Sequence, residues 1–110
     1  MAASAGDFCS VYITCANRDE ALRIARVLVE ERAAACANVL GEVTSVYRWQ
    51  GAIAEDVEIA LLVKTRKDLF ERLQALVVAH HSYECPCIVA FPLELGFEGY
   101  LAWIRAETGG

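Results

Sequence analysis

No stretch of the sequence reaches about eighteen uninterrupted apolar residues, which excludes a membrane-spanning helix. Basic residues are few and scattered, 10 Lys and Arg against 15 Asp and Glu for a net charge of −5. Without a basic cluster there is no positive footprint for nucleic acid, and cationic partners are favoured instead. The opening Met1–Asp7 has neither the charged start nor the apolar middle of a signal peptide. Five cysteines are an odd number for a disulfide scaffold. The expectation from both is a reduced protein of the cytoplasm. Gly-x-Ser-x-Gly, a phosphate loop and a metalloprotease His pair are all missing, so nothing asks for an enzyme. With no internal linker and no low-complexity tract, residues 1–110 read as one domain, and 1–7 and 107–110 are expected to be flexible ends.

What the chain has in quantity is apolar surface: 56% of its residues are hydrophobic. In a domain of this size such a surplus marks a subunit interface. Phe8 to Cys15 is β-rich, and alternation puts Val11, Ile13 and Cys15 on one face and Ser10, Tyr12 and Thr14 on the other. Asn17 with Glu20 three residues on is a capping-box start, followed by helical spacing of Ala21, Ile24, Ala25 and Leu28. Ala33–Ala35 fits either a helix or the lead into a strand. Cys36 to Trp49 and Ala54 to Lys64 read as two long strands joined at Gln50-Gly51, with a bulge or bend at Gly41. Thr65-Arg66-Lys67-Asp68 predicts a second capped helix ending near His80 or His81. A fourth strand over Cys87–Leu93 and a short helix over Glu98–Ala106 complete the order.

Strand-helix-strand-strand-helix-strand is the ferredoxin-like split βαβ pattern, so the predicted fold is an α+β, βαββαβ sandwich with a C-terminal helix. Tracing strand directions brings Cys15, the Asn17 helix start, the hairpin tip and the junction His80-His81-Ser82-Tyr83-Glu84-Cys85-Pro86-Cys87 to one end. Helices on one face only, and a hairpin of roughly 35 Å, predict a homo-oligomer that covers the open face and the strand edges.

Several segments then resemble the CutA divalent-cation-tolerance family. They are Glu30-Glu31-Arg32-Ala33-Ala34-Ala35-Cys36-Ala37-Asn38, Thr44-Ser45-Val46-Tyr47-Arg48-Trp49-Gln50-Gly51, Glu58 with Leu62-Val63-Lys64-Thr65, His81-Ser82-Tyr83-Glu84-Cys85-Pro86 and Tyr100-Leu101-Ala102-Trp103-Ile104. The resemblance implies a homotrimer of ferredoxin-like subunits similar to PII signalling trimers, with a role in tolerance to divalent cations. It implies binding of Cu(II), or other divalent cations, through Cys15, His80 and His81. Ser82 departs from the family, which typically has proline there, and Cys85 and Cys87 lie outside its pattern.

Each candidate also has a plainer reading. Cys15 fits a soft-metal ligand beside a helix start, and equally a small apolar residue packed with Val11 and Ile13. His80 and His81 fit ligands, and equally the C-terminal cap of a helix. Tyr47, Trp49, Glu58, Lys64, Tyr83 and Glu84 form a candidate cleft between subunits, or an interface hydrogen-bond cluster. The alternative function is accordingly a PII-like signalling or scaffold trimer that binds a small anion or a partner protein in that cleft.

Overall fold

The computed structural model describes residues 5–110. Four strands, β1 (Phe8–Cys15), β2 (Cys36–Trp49), β3 (Ala52–Arg66) and β4 (Ile88–Pro92), form one antiparallel sheet in the order β2-β3-β1-β4. The helices α1 (Arg18–Glu30) and α2 (Phe70–His80) cover one face, and α3 (Glu98–Glu107) closes the end near Phe8. The fold is thus α+β, with one sheet and its helices.

The core follows from alternation meeting helical periodicity. Val11, Ile13, Leu61 and Val63 face Ala21, Ile24 and Leu28 of α1 and Leu73 and Val77 of α2. Each large side chain fully withdrawn from water there contributes about 1.5–3 kcal/mol. Asn17 caps α1 by accepting the Glu20 N–H at 2.9 Å, as its position predicts. At the other end Arg32 takes φ +56, and the N–H groups of Ala33 and Ala34 return to Leu28 O. That turn settles the ambiguous alanines, which are buried in it rather than continuing the helix.

One predicted element starts differently. Thr65 is not a helix cap: it lies in β3, fully buried, and donates its hydroxyl to Ala33 O at 2.6 Å. A 3-10 turn over Lys67–Leu69 intervenes, and α2 begins at Phe70 without a side-chain cap. The cross-link to the Ala33 turn outweighs local capping. Of the expected loose ends, residues 1–4 lie outside the described residues, Ala5–Asp7 forms a 3-10 turn, and Thr108 is buried with its hydroxyl on Ile104 O at 2.8 Å.

The hairpin shapes everything beyond β1. Gly41, at φ +107, sits at the predicted bulge between Val39 and Gly41, and Gln50-Gly51 turns with both φ angles positive. β1 ends opposite Ile59, so the outer part of β2 and β3 projects past the helices. The molecule is accordingly 51 × 25 × 22 Å. Val46, Ile53 and Val57 on the projection stand more than half exposed.

Candidate functional site

The end of β1 and the segment after α2 meet as strand direction predicts. Two neighbouring constellations form there, one on the core face of the sheet and one on the open face.

On the core face, single ligand atoms from Cys15, Glu20 and His81 lie within 4.8 Å of one another. Cys15 is fully buried among the core residues, so its strand position keeps the apolar packing that alternation predicts. Burial, with the nearby Glu20 and Glu58 carboxylates adding to it, pushes its thiol up to about 12. A helix N-terminus lies close by, but it does not lower the thiol. The His81 side chain is also fully buried. The Tyr83 N–H donates to its Nδ1 at 3.0 Å, which puts the ring proton on Nε2, where it is donated to Thr14 O at 2.8 Å. Both ring nitrogens therefore have partners within the chain.

Glu20 joins these parts. Its Oε1 accepts the Ala16 N–H at 3.0 Å and its Oε2 the Ser82 N–H at 2.9 Å. Burial alone would raise its carboxyl, but the Ser82 and Ala16 hydrogen bonds, with His81 nearby, hold it below the usual range. Proline at position 82 could not make the Ser82 bond, having no N–H. Sequence reasoning used Glu20 only as part of the capping box and did not include it in the ligand set. The signal was present, because a capping-box carboxylate turns back toward the N-terminal side of its helix, where Cys15 lies.

His80 does not join the cluster. It is the last residue of α2, exposed, and its carbonyl accepts from Arg23 at 3.5 Å. Of the expected trio, the structure brings together Cys15 and His81, with Glu20 as the third donor. Sulfur, imidazole nitrogen and carboxylate oxygen are a donor set that suits copper or zinc, so the residues fit an ion of that type.

On the open face, a cavity of about 520 Å³ is walled by Tyr12, Tyr47, Trp49 and Tyr83 with the carboxylates Glu58 and Glu84. The register explains its composition: Tyr47 pairs with Ala54, and counting by twos from there reaches Glu58 on the same face. The Tyr83 hydroxyl donates to Glu58 Oε2 at 2.9 Å, and the Tyr47 hydroxyl donates to Asp56. Tyr83 folds back so that its ring lies 4.7 Å from the His81 ring, linking the two constellations. Cys85 and Cys87 both reach this cavity, Cys85 exposed and Cys87 half-buried.

Five of the six predicted cleft residues therefore line one cavity, and Lys64 does not. It sits six positions along β3 from Glu58 and donates to Asn38. No Lys or Arg of this chain is among the lining residues.

The CutA1 divalent ion tolerance family matches residues 9–107. The chain is similar to the divalent-cation tolerance protein CutA of Thermus thermophilus, with 48% identity over 90% of this chain and 96% of that one. It is 40% identical to human protein CutA over 94% of this chain, and spans 58% of the human protein's length. A solved structure of the periplasmic divalent cation tolerance protein CutA from Archaeoglobus fulgidus superposes with a TM-score of 0.89, at 40% identity, over 92% of this chain and 98% of that one. The names of the family, the Thermus protein and the Archaeoglobus structure describe tolerance to divalent ions. On this match across nearly its whole length, the chain belongs to the CutA1 divalent ion tolerance family.

Proposed function

We propose that the protein serves divalent-cation tolerance by binding a metal ion, copper(II) first among them, through Cys15 and His81 with Glu20 within reach. The observation that carries this reading is the convergence of a thiol, an imidazole and a carboxylate within 4.8 Å at the end of β1. His80 is one residue away on the surface and would serve as an outer ligand on an ion's path inward. To bind, the Cys15 thiol gives up its proton and His81 Nδ1 releases the Tyr83 N–H. Both requirements favour an ion that competes strongly for sulfur and nitrogen. They also favour modest, exchangeable binding over a permanent structural site.

The strand order and the placement of α1 and α2 on one face support a ferredoxin-like βαββαβ topology within a single domain. The open face and the projecting hairpin support a homotrimer, since Tyr12, Val89 and Phe91 there would otherwise face water. Five free cysteines support a reducing, cytoplasmic address.

Titration of metal-stripped protein with Cu(II), followed by calorimetry, tests the assignment. The parent is expected to bind, and the Cys15→Ala, His80→Ala, His81→Ala triple variant to lose the site. Unchanged affinity in the triple variant would sink it. Light scattering at micromolar protein tests the assembly, where a monomeric mass would overturn the trimer.

A further inference from the structure

The His81 ring is prepared for a metal at every point but one. Its Nε2–H already donates to Thr14 O at 2.8 Å, the kind of backbone partner that a metal-bound imidazole keeps on its second nitrogen. The remaining lone pair is on Nδ1, which lies 3.8 Å from Glu20 Oε1 and so on the side of that carboxylate. The Tyr83 N–H fills this lone pair at 3.0 Å. Nδ1 becomes free as a ligand only when that N–H has moved off. What keeps the N–H in place is the other end of its own residue. The Tyr83 ring packs against the His81 ring with centroids 4.7 Å apart, and its hydroxyl donates to Glu58 Oε2 at 2.9 Å. Glu58 is itself fixed in β3 opposite Val43, one residue before the Ile59–Cys15 pair. Both Tyr83 contacts are made within one chain, so they require no exposed face.

A hydroxyl on a carboxylate makes a stronger bond than one between neutral groups, and this carboxylate is 8% exposed. We propose that Tyr83 is a positioning residue of the metal site: its hydroxyl, anchored on Glu58, holds its N–H as a plug on His81 Nδ1 and so lowers the affinity of the site. The basis is a population. A site whose binding-competent state is only partly occupied binds more weakly by that fraction. Loosening the plug enlarges the fraction, although neither the Tyr83 side chain nor Glu58 belongs to the donor set. This role presupposes metal binding at Cys15 and His81, and adds what restrains it. A Tyr83 that merely braced the segment would have the opposite effect, because losing its hydroxyl would loosen the ligands and weaken binding.

Tyr83→Phe removes the hydroxyl and keeps the ring and the N–H, so it cuts the anchor alone. In Cu(II) calorimetry at fixed pH it should bind roughly tenfold more tightly than the parent, since the bond lost is to a charged group. Without metal, hydrogen exchange at the position 83 amide, resolved by mass spectrometry, should be about tenfold faster in the variant than in the parent. In the parent itself, saturating Cu(II) should speed exchange of the Tyr83 amide, a measurement that needs no variant to fold. Equal or weaker Cu(II) binding by Tyr83→Phe, unchanged exchange at position 83 in that variant, or a Tyr83 amide that stays protected in the loaded parent would each overturn the plug and leave metal binding standing. A parent that binds no Cu(II) would overturn the metal site and the plug together.

Discussion

Glu20 and Glu58 are both buried carboxylates, 3% and 8% exposed, and they sit on opposite faces of the same sheet end. Three consecutive residues serve both. His81 and Ser82 turn toward Glu20, while Tyr83 turns its hydroxyl to Glu58. Yet both Glu20 oxygens accept backbone N–H groups, whereas Glu58 uses one oxygen on a phenol and leaves the other facing a cavity. A carboxylate with its acceptors filled by backbone holds the chain together. One with an acceptor to spare, beside open space, is less tied to the rest of its own chain. The core-face cluster is closed and structurally committed, so an ion enters it only by displacing existing bonds. The open-face cavity needs no such displacement.

The largest expected contrast is in thiol reactivity. Cys15 lies in the closed region, with a thiol pushed up to about 12, and Cys85 is exposed at the edge of the open one. At pH 8 a thiol of that kind is about one part in ten thousand thiolate, before the barrier of burial is counted. Iodoacetamide should therefore modify Cys85 at least about a thousandfold faster than Cys15, as read by peptide mass spectrometry over time. Comparable rates would mean that the core face opens readily.

Next comes stability. Glu20→Ala strips the Ala16 and Ser82 N–H groups of their acceptor and cuts the tie between the start of α1 and the segment after α2. A loss of about 2–4 kcal/mol is expected in denaturant unfolding at fixed protein concentration, from two donors left without partners. A loss under about 0.5 kcal/mol would mean that water replaces the carboxylate without penalty.

A smaller effect is the acid limb of stability. The Glu20 carboxyl is held below its ordinary value in the folded chain, so its contribution is complete above the unfolded value of about 4.3 and is lost as pH falls through the folded value. Unfolding free energy measured from pH 6 down to pH 3 should fall more steeply in the parent than in Glu20→Gln, which has no proton to take up there. Parallel acid limbs would show that other carboxylates govern this range.

Most of this arrangement was legible in the sequence because it depends on periodicity and direction. Alternation in Phe8–Cys15 and in the hairpin assigned the faces, and the strand-helix order brought Cys15 to His81 across 66 positions. The identity of the third donor was harder to read. Glu20 had a local role as a capping-box residue, and only the fold places the Ser82 N–H against its other oxygen. Thr65 shows the same limit in reverse: a sound local cap signal yielded to a carbonyl 32 residues away. Within one chain Lys64 lies apart from the other five cleft candidates, because six residues along an extended strand span about 20 Å. Likewise, His80 and His81 are adjacent in sequence, but the helix ends between them, leaving one ring outside and the other in the core.

The smallest expected effect is the most discriminating one, because it applies one substitution to both carboxylates. In Glu20→Gln the new amide NH2 must face either the Ala16 or the Ser82 N–H, and two donors opposed at a buried position cost about 1–3 kcal/mol. In Glu58→Gln the amide oxygen can accept from Tyr83 while the NH2 points into the cavity, so the change in unfolding free energy should stay below about 0.5 kcal/mol. Chemical denaturation of the two variants side by side measures the difference. Equal losses would erase the distinction between a filled and a half-filled carboxylate, because they would mean that the cavity-facing oxygen of Glu58 is as engaged as those of Glu20. A near-silent Glu58→Gln would mean the opposite: the Tyr83 hydrogen bond is kept by the amide oxygen, and the fold does not require the charge at this position.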